Sequence, residues 1–226
     1  MHLIDKEVNV TAAVPIVGSS ISIGTGIGFG LKKRQSDSIV VVYFGDGATE
    51  EGVFAESLDF AALFELPVLF VCENNFYSVY TPTESRQVQG RCLQKICHGH
   101  AVKSFFGDGN DVLDVKRKTD DAIDYMRKER QPALLEFNTF RWLEHCGPNW
   151  DDDLGYRKDN ELGTWMEKCP IDKLKKQILV AEENEEFFER LDFKIQLEIS
   201  KAFEFVKTSA FPKVEELFDH IYAEGE

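Results

Sequence analysis

The chain has 226 residues, of which 43% are hydrophobic and 29% charged, as is ordinary for a soluble globular protein with one large domain. Acidic residues outnumber basic ones by 40 to 26, which gives a formal net charge of −14 and argues against nucleic acid or an anionic membrane as main partner. No apolar run approaches the roughly 20 residues of a membrane helix, and the N-terminus has no signal-peptide pattern. Five cysteines without a short-spaced framework predict reduced thiols and a cytoplasmic location.

A glycine-rich segment, residues 12–32, comes first along the chain. Its apolar positions allow a helix, and the small residues between them predict close packing against another backbone. Gly24-Thr25-Gly26 also mimics the start of a dinucleotide-binding fingerprint. A true fingerprint follows a strand and opens a helix, and we predict no strand before these glycines. We therefore interpret the segment as a closely packed helix.

The clearest pattern in the chain is a strand–helix–strand unit. Residues 39–44 form a continuous β-branched and aromatic run, typical of a strand that is buried on both faces. Residues 50–65 carry an apolar helical face, and residues 68–72 form a second buried strand. Later segments continue the alternation, with a strand at 101–105, a helix at 112–130 and a strand at 133–137.

This alternation predicts an α/β fold with a mostly parallel sheet flanked by helices. Residues 171–206 are predicted to be helical, and a last helix is predicted at 214–223. The acidic run at 182–186 is interpreted as a solvated face of that helical tail.

Two polar motifs follow the two strands of the strand–helix–strand unit. Gly45-Asp46-Gly47 ends the first strand, and Asn74-Asn75 ends the second after 26 intervening residues. Because a parallel crossover is right-handed, both motifs should emerge at the same carboxyl edge of the sheet. Carboxylate and amide oxygens there suit Mg²⁺ held together with a phosphate. The glycines beside Asp46 let a phosphate approach the backbone.

This spacing matches the signature of thiamine-diphosphate enzymes. With Ile16-Val17-Gly18, Gly45-Asp46-Gly47-Ala48 and the run from Cys72 to Tyr77, the chain resembles the α subunit of the two-subunit 2-oxo acid dehydrogenase E1 component. Acetoin dehydrogenase α subunits belong to the same group. The resemblance extends to about Tyr156-Arg157, and beyond that point it rests on helical character alone.

The resemblance implies a metal site and a phosphate site. Asp46 and Asn75 would bind Mg²⁺ through side-chain oxygens, and Tyr77 would bind it through its carbonyl. Gly47 and Ala48 would contact the diphosphate through their backbone. The full cofactor-binding set implied in this way is Ile16, Val17, Gly45, Asp46, Gly47, Ala48, Asn75, Tyr77, Arg141 and His145.

A loop after the last predicted strand carries the implied catalytic residue. Residues 139–142 match the family's lead-in to this loop, and His145 matches its active-site histidine beside the diphosphate and the substrate. Arg141 is expected to order the loop. Far upstream, Ile16 and Val17 match the segment that contacts the aminopyrimidine ring.

The implied activity is that of a thiamine-diphosphate- and Mg²⁺-dependent subunit that decarboxylates a 2-oxo acid, or cleaves an acetoin-like substrate, and passes the acyl group to an acceptor. The family's activating glutamate belongs to the β subunit, so a transketolase-like β partner in an α₂β₂ heterotetramer is expected. The substrate, and whether a lipoyl-bearing acyltransferase is also a partner, stay open. The alternative is a catalytically inert assembly subunit, or a truncated homologue, that keeps the fold.

The expected organisation is a cofactor-binding α/β domain over residues 1–160, with residues 161–226 as a helical extension of the same domain. Three departures from the family stand out. Its N-terminal diphosphate-contacting region is not found before Met1, which predicts a truncated or reduced version. Pro15 replaces a glycine of animal pyruvate dehydrogenases. No serine or threonine lies between Arg141 and Tyr156, so serine phosphorylation has no acceptor there.

Two other motifs need an interpretation. Gly107-Asp108-Gly109 repeats the tripeptide, but no Asn-Asn pair follows at the required distance, and a turn is predicted. Cys92, Cys97, His98 and His100 offer four zinc-type ligands in nine residues, but their spacing matches no common zinc site. We interpret this segment as a loop near the substrate channel and keep zinc binding as the alternative.

Overall fold

A computed structural model describes residues 2–182 and 185–219 of the chain. The chain divides into two compact units, one ending at Leu174 and the other starting at Lys175. The first unit contains a parallel sheet of the four strands β3 (Val40–Gly45), β4 (Val68–Asn74), β7 (Lys103–Asp108) and β8 (Ala133–Asn138). The strand order is β3-β4-β8-β7, and helices cover both faces, so the predicted α/β fold is confirmed.

Two small antiparallel hairpins accompany this sheet, and neither was predicted. The first pairs β1 (Leu3–Asp5) with β2 (Val10–Ala13), and the second pairs β5 (Tyr77–Ser78) with β6 (Thr81–Pro82). The helices of the first unit are α1 (Ser19–Lys33), α2 (Gly52–Leu63), α3 (Thr83–Arg86), α4 (Leu93–Gly99), α5 (Val112–Glu129) and α6 (Glu161–Met166). Short 3₁₀-helices span Asp46–Glu50 and Asp152–Leu154.

The glycine-rich segment forms α1, and its glycines bring this helix onto the sheet. A Cβ at Gly24 would lie 2.1 Å from Cγ2 of Val42, and one at Gly28 would lie 2.5 Å from Cγ2 of Val68. Close packing is therefore the reason for these glycines, as the sequence predicted. A strand, β2, does precede them, contrary to expectation, but it pairs with β1 outside the parallel sheet. Because the glycines lie inside the helix, no dinucleotide turn is formed.

The alternation of side chains along the strands produces two cores. On one face of the sheet, Val42, Phe70 and Leu134 pack with residues of α1, α2 and α4. On the other face, Leu69 and Leu135 pack with residues of α5. Burial on both faces explains why the inner strands β4 and β8 are continuous apolar runs.

Most predicted boundaries shift by a few residues. The crossover helix was predicted from residue 50, but residues 46–50 first coil as a 3₁₀-helix and α2 spans only Gly52–Leu63. The strand predicted at 101–105 is β7, which starts and ends later. The last predicted helix is a 3₁₀-helix at Val214–Phe218, and its end at 220–223 lies outside the described residues.

The helical tail is confirmed as two helices, α7 (Pro170–Glu182) and α8 (Glu185–Thr208). The division between the two units falls within α7. Glu185 and Glu186 are exposed. The structure does not describe the burial of the other side chains in the acidic run. Within residues 2–182 and 185–219, no helix is both long and apolar enough to span a bilayer.

Candidate functional site

The two polar motifs lie at the ends of neighbouring parallel strands. In the ladder between β3 and β4, Gly45 pairs with Glu73, so Asp46 and Asn74 leave the sheet at the same carboxyl edge. The ladder between β4 and β8 ends with Asn74 opposite Asn138. The main-chain N–H of Thr139 then donates to the Asn74 carbonyl at 2.9 Å. The segments after β3, β4 and β8 therefore start side by side.

Asp46 is a buried carboxylate with one oxygen that lacks a partner. Its Oδ2 accepts a hydrogen bond from Nη2 of Arg86 at 2.5 Å, whereas Oδ1 is buried and has no hydrogen-bond partner among the described residues. Burial raises the pKa of Asp46, and this is opposed first by the Arg86 guanidinium and then by the main chain of Asp46 and Asn75. A buried, unpartnered acceptor is costly, and such an oxygen is typical of a site that takes an ion.

The turn after β4 presents the second motif. Oδ1 of Asn74 accepts from the Phe76 N–H at 3.1 Å, and Oδ1 of Asn75 accepts from the Tyr77 N–H at 3.0 Å. Tyr77 then pairs with Pro82 in the β5–β6 hairpin. Because proline has no N–H, Pro82 cannot donate to the Tyr77 carbonyl. The turn thus holds the Asn75 amide in place, and the residue paired with Tyr77 offers no N–H to its carbonyl.

The backbone at Gly47 is too crowded for a side chain. A Cβ at this position would lie 2.9 Å from Oγ of Ser78, at the edge of what a real side chain can tolerate. Ala48 beside it is buried, and Gly45 has open space around it. Because Gly47 has no side chain, its backbone is a candidate cradle that a compact polar group could approach closely.

The segment with Ile16 and Val17 lies in the loop before α1. Both side chains are exposed, and Gly18 follows them with a positive φ of 84°. A Cβ at Gly18 would lie 3.0 Å from Cγ1 of Val53 and 3.4 Å from Glu51. This contact places the loop beside the start of α2, immediately after the 3₁₀-helix that Asp46 begins.

A buried ion cluster organises the loop after β8. The Asp151 side chain is fully buried, and it pairs with Arg157 at 2.8 Å and with Arg141 at 3.3 Å. Tyr156 also donates its hydroxyl to Asp151. Burial raises the pKa of Asp151, but hydrogen bonds from Tyr156 and Arg157, with the charges of Arg157 and Arg141, outweigh it and leave the pKa below its usual range.

Arg141 also fastens the loop to the turn that follows β4. It donates to the carbonyls of Leu143 and Val79, the second at 2.9 Å. Tyr77 makes a second connection, because its hydroxyl donates to Glu161 at 2.5 Å and its ring lies 5.8 Å from the Arg157 guanidinium. The segment with the Asn-Asn motif and the loop after β8 are therefore held together.

His145 lies on the exposed part of this loop. Neither it nor the adjacent Cys146 is buried, and within the described residues His145 makes no hydrogen bond or ion pair. The structure therefore brings Asp46, Gly47, Asn75 and Tyr77 together around one strand edge, with Arg141 joined to it, and leaves the His145 side chain in solvent.

The two remaining motifs have structural explanations. The turn predicted at Gly107-Asp108-Gly109 begins only at Gly109, because Gly107 and Asp108 are the last residues of β7 and pair with β8. Among the described residues, no three His, Cys, Asp or Glu side chains are grouped as a metal site, so Cys92, Cys97, His98 and His100 are not brought together. The loop predicted for this segment is wrong, because Leu93–Gly99 form the helix α4. Cys97 is buried in that helix, and burial raises its pKa to about 12.

A family comparison now bears on this strand edge. The model of the family described as the dehydrogenase E1 component matches residues 1–215. The chain belongs to the dehydrogenase E1 component family. This family depends on thiamine diphosphate, in agreement with the resemblance in the tripeptide and the Asn-Asn motif.

Individual relatives of this E1 component chain are α subunits by name. The chain is 31% identical over 98% of its length to the pyruvate dehydrogenase E1 component subunit alpha of Zymomonas mobilis, and it spans 62% of that protein. It is 32% identical over 99% of its length to the testis-specific mitochondrial form of Homo sapiens, of which it spans 56%. The chain thus spans about three fifths of the relatives that it matches.

A solved structure of a putative thiamin diphosphate-dependent enzyme from Mycobacterium smegmatis is also similar. Its identity is 24% and its TM-score 0.43, over 55% of this chain and 22% of that one. This likeness is too weak to support an argument.

The structure adds two residues of this E1 component chain that the sequence reasoning missed. Arg86 pairs with Asp46 across 40 positions of sequence. Glu136 is buried in β8, where it accepts from Nδ2 of Asn74 at 2.9 Å and Nε2 of Gln94 at 2.6 Å, and burial raises its pKa. A signal for Glu136 was available, because a charge inside the apolar run Ala133–Phe137 needs partners. Nothing in the local sequence of Arg86 indicates its partner.

Proposed function

We propose that this chain is the α-type part of a thiamine-diphosphate- and Mg²⁺-dependent E1 dehydrogenase. It would decarboxylate a 2-oxo acid, or cleave an acetoin-like substrate, and pass the acyl group to an acceptor. The observation that carries the proposal is the buried Asp46 carboxylate beside the Asn75 turn, whose Oδ1 has no hydrogen-bond partner in the part of the chain that the structure describes. The proposal agrees with the family and with the names of the relatives.

The residues at this strand edge fit the cofactor. Asp46 offers an anionic oxygen, Asn75 offers an amide oxygen, and the Tyr77 carbonyl belongs to a residue paired with Pro82, which has no N–H to donate to it. These are the hard oxygen ligands that Mg²⁺ takes when it is bound together with a phosphate group. Gly47 carries no side chain, so a diphosphate oxygen could approach its backbone closely, and a methyl group there would meet Oγ of Ser78 at 2.9 Å.

In this proposal each matched residue has a defined task. Asp46, Asn75 and the Tyr77 carbonyl hold Mg²⁺, the backbone of Gly45, Gly47 and Ala48 binds the diphosphate, and the loop with Ile16 and Val17 borders the aminopyrimidine. When bound, thiamine diphosphate supplies a carbanion nucleophile and an electron sink for the loss of CO₂.

The loop after β8 completes the site. Arg141 keeps the loop against the Asn75 turn through the Val79 carbonyl and Asp151. His145, which is exposed on that loop, would hold or move a proton beside the diphosphate and the substrate. An imidazole has two ring nitrogens, one of which can donate a proton while the other accepts one, and this suits the task.

We further propose a transketolase-like β subunit as partner in an α₂β₂ heterotetramer, with a lipoyl-bearing acyltransferase as acceptor. The relatives carry the name of an α subunit, and no residue of this chain matches the family's activating glutamate. We also propose a cytoplasm-like, reducing compartment, supported by five free thiols, while the relatives include bacterial and mitochondrial forms.

One observation favours a second candidate, the catalytically inert assembly subunit. Arg86 already neutralises the Asp46 carboxylate that the cofactor site needs. In a truncated homologue that keeps the fold, this ion pair would be purely structural. The two candidates differ in whether the site binds thiamine diphosphate.

Titration calorimetry separates the two candidates. Thiamine diphosphate is titrated into the chain, alone and mixed with its β partner, with and without Mg²⁺. The proposed enzyme gives Mg²⁺-dependent heat in the mixture, because the metal joins the carboxylate to the diphosphate. Absence of Mg²⁺-dependent heat from a mixture that co-elutes as a complex contradicts the enzyme and leaves the assembly subunit.

A further inference from the structure

Arg86 occupies a position between the proposed metal and phosphate sites. Its Nη2 donates to Oδ2 of Asp46 at 2.5 Å, and its Nη1 donates to the Glu50 carboxylate. Its Nε donates to the Thr81 carbonyl at 3.0 Å. The Arg86 side chain is 10% exposed and that of Asp46 is 5% exposed, so this ion pair is largely shielded from water.

The guanidinium also borders the backbone at Gly47. Nη1 of Arg86 lies 3.7 Å from the position that a Cβ of Gly47 would take. A fixed positive charge therefore lies beside the proposed metal carboxylate and beside the proposed diphosphate cradle. The contact with the Thr81 carbonyl holds the guanidinium there independently of either carboxylate.

The charges at this place favour some ligands over others. Asp46, Glu50 and Arg86 together carry a net charge of −1, so the attraction for a divalent cation alone is reduced by the guanidinium on the same carboxylate. A diphosphate ester bound with the cation brings negative charge. The guanidinium then gains a partner, because its forked donors match phosphate oxygens.

We propose that Arg86 is a specificity-determining residue that makes this site take a divalent cation and a diphosphate together and disfavours the cation alone. The inference rests on the proposed function, because it assumes that the strand edge binds a metal–diphosphate complex. Arg86 would add a preference for the cation–diphosphate complex over the cation alone. Asp46 and Asn75 do not supply this preference, since their oxygens would bind a bare cation as well.

Arg91 provides a matched control for Arg86. It follows in the same part of the chain and also holds the 3₁₀-helix, because it donates to Oγ1 of Thr49 at 3.1 Å and to the Thr49 carbonyl at 2.7 Å. It makes no hydrogen bond or ion pair with Asp46 among the described residues. Loss of Arg91 therefore removes a cation and a backbone anchor without freeing that carboxylate.

Two binding measurements on the full chain with its β partner test the proposal. Mn²⁺ alone is titrated and followed by its electron paramagnetic resonance signal, and inorganic pyrophosphate is titrated calorimetrically in the presence of Mg²⁺. The Arg86→Met variant should bind Mn²⁺ alone about 5- to 10-fold more tightly and Mg²⁺-pyrophosphate about 10-fold more weakly, as expected for loss of a charge-assisted contact. The Arg91→Gln variant should leave the ratio of the two affinities within about twofold.

A variant that binds Mn²⁺ alone more tightly and Mg²⁺-pyrophosphate more weakly distinguishes the proposed role of Arg86 from a purely structural one. Arg86→Lys keeps the charge but loses the fork, so it should keep the weak Mn²⁺ binding and lose part of the pyrophosphate affinity. This variant also provides the answer if Arg86→Met does not fold. Unchanged or parallel shifts of the two affinities in a folded variant overturn the role of Arg86 alone. If the wild-type complex binds neither Mn²⁺ nor Mg²⁺-pyrophosphate, the proposed site fails and the role of Arg86 fails with it.

Discussion

The tripeptide Gly-Asp-Gly occurs twice at the carboxyl edge of this sheet, in different surroundings. Gly45-Asp46-Gly47 follows the edge strand β3, and Gly107-Asp108-Gly109 ends the opposite edge strand β7. Asp46 is buried and paired with Arg86, and its Oδ1 has no hydrogen-bond partner within residues 2–182 and 185–219. Asp108 is exposed, and its Oδ1 accepts from the Asn110 N–H at 2.9 Å in its own turn. The neighbouring chain segments, rather than the tripeptide, therefore decide which aspartate is available to a ligand.

The largest expected difference between the two copies is in cofactor affinity. Asp46→Ala should weaken Mg²⁺-dependent binding of thiamine diphosphate by about a thousandfold or more, since loss of a partner behind the ligands alone costs about 10- to 100-fold. Asp108→Ala should change the affinity by less than about twofold, because that side chain is exposed and its Oδ1 accepts a hydrogen bond within its own turn. Titration calorimetry on both folded variants measures the contrast, and equal affinities in the two variants contradict it.

A second buried aspartate tests whether burial alone makes a carboxylate a binding group. Both oxygens of Asp151 are occupied, by Arg157 on one side and by Arg141 and Tyr156 on the other. We expect Asp151→Asn to lower the free energy of unfolding by about 3 kcal/mol, because two arginines lose their buried counter-ion. Denaturant unfolding measures this.

The exposed neighbour Asp153 is the control for this change. Asp153→Asn should leave the free energy of unfolding within about 0.5 kcal/mol of the wild type. If the two asparagine variants are equally stable, the ion cluster does not support the loop as described.

The glycines that end the two tripeptides should respond in opposite ways. A Cβ at Gly109 would lie 2.6 Å from the backbone oxygen of Asn138, whereas the nearest atom to a Cβ at Gly47 is Oγ of the Ser78 side chain at 2.9 Å. Gly109→Ala should therefore cost about 2 kcal/mol of stability with little effect on cofactor affinity.

Gly47→Ala should cost less stability and weaken the cofactor affinity instead. The added Ser78→Ala change should restore stability to the Gly47→Ala variant, because it removes the atom that the new methyl group meets. Thermal unfolding and calorimetry on the same samples measure both effects. A stability loss that Ser78→Ala does not relieve would show that the crowding at Gly47 has another source.

The smallest expected effect concerns Glu136, the buried acid that accepts a hydrogen bond from Asn74. Burial raises the pKa of Glu136, against the hydrogen bonds from Asn74 and Gln94. A raised pKa in the folded state means that protonation favours folding, so this contribution is present below the unfolded pKa and is lost as pH rises through the folded pKa.

The glutamine in Glu136→Gln cannot titrate. The free energy of unfolding of this variant, relative to that of the wild type, should therefore rise by up to about 1 kcal/mol as the pH rises through that range. The urea midpoints of the two proteins, compared from pH 4 to 8, measure the difference. Parallel curves across this range would contradict the raised pKa.

Part of the fold and of the strand edge could be predicted from the sequence. The buried strands were predictable because runs such as Val68–Cys72 are apolar on both faces, and parallel topology then predicts Asp46 and Asn75 at one edge. The closely packed glycine helix was predictable from its small residues, and Gly24 and Gly28 meet Val42 and Val68 as expected.

Other features depend on contacts between distant parts of the chain. Arg86 reaches Asp46 across 40 positions, and Asn74 reaches Glu136 across 62, and no local pattern encodes such pairs. The hairpin at residues 77–82 was missed because each of its strands has only two residues and one of them is Pro82. The start of α2 was predicted too early because residues Asp46–Glu50 coil as a 3₁₀-helix, which apolar periodicity alone does not distinguish from the first turn of an α-helix.

The stacking of Trp165 on Phe140 gives the molecule an internal optical reporter. The two rings lie 5.4 Å apart at an angle of 7°, and Phe76, next to the Asn-Asn motif, lies 6.1 Å from the same indole. Indole emission responds to its immediate surroundings, and Trp165 touches both the strand-edge turn and the start of the histidine loop. With Trp142 and Trp150 replaced by phenylalanine, the remaining fluorescence would follow movements of the strand edge around Asn74 and Asn75 in real time and without an attached dye.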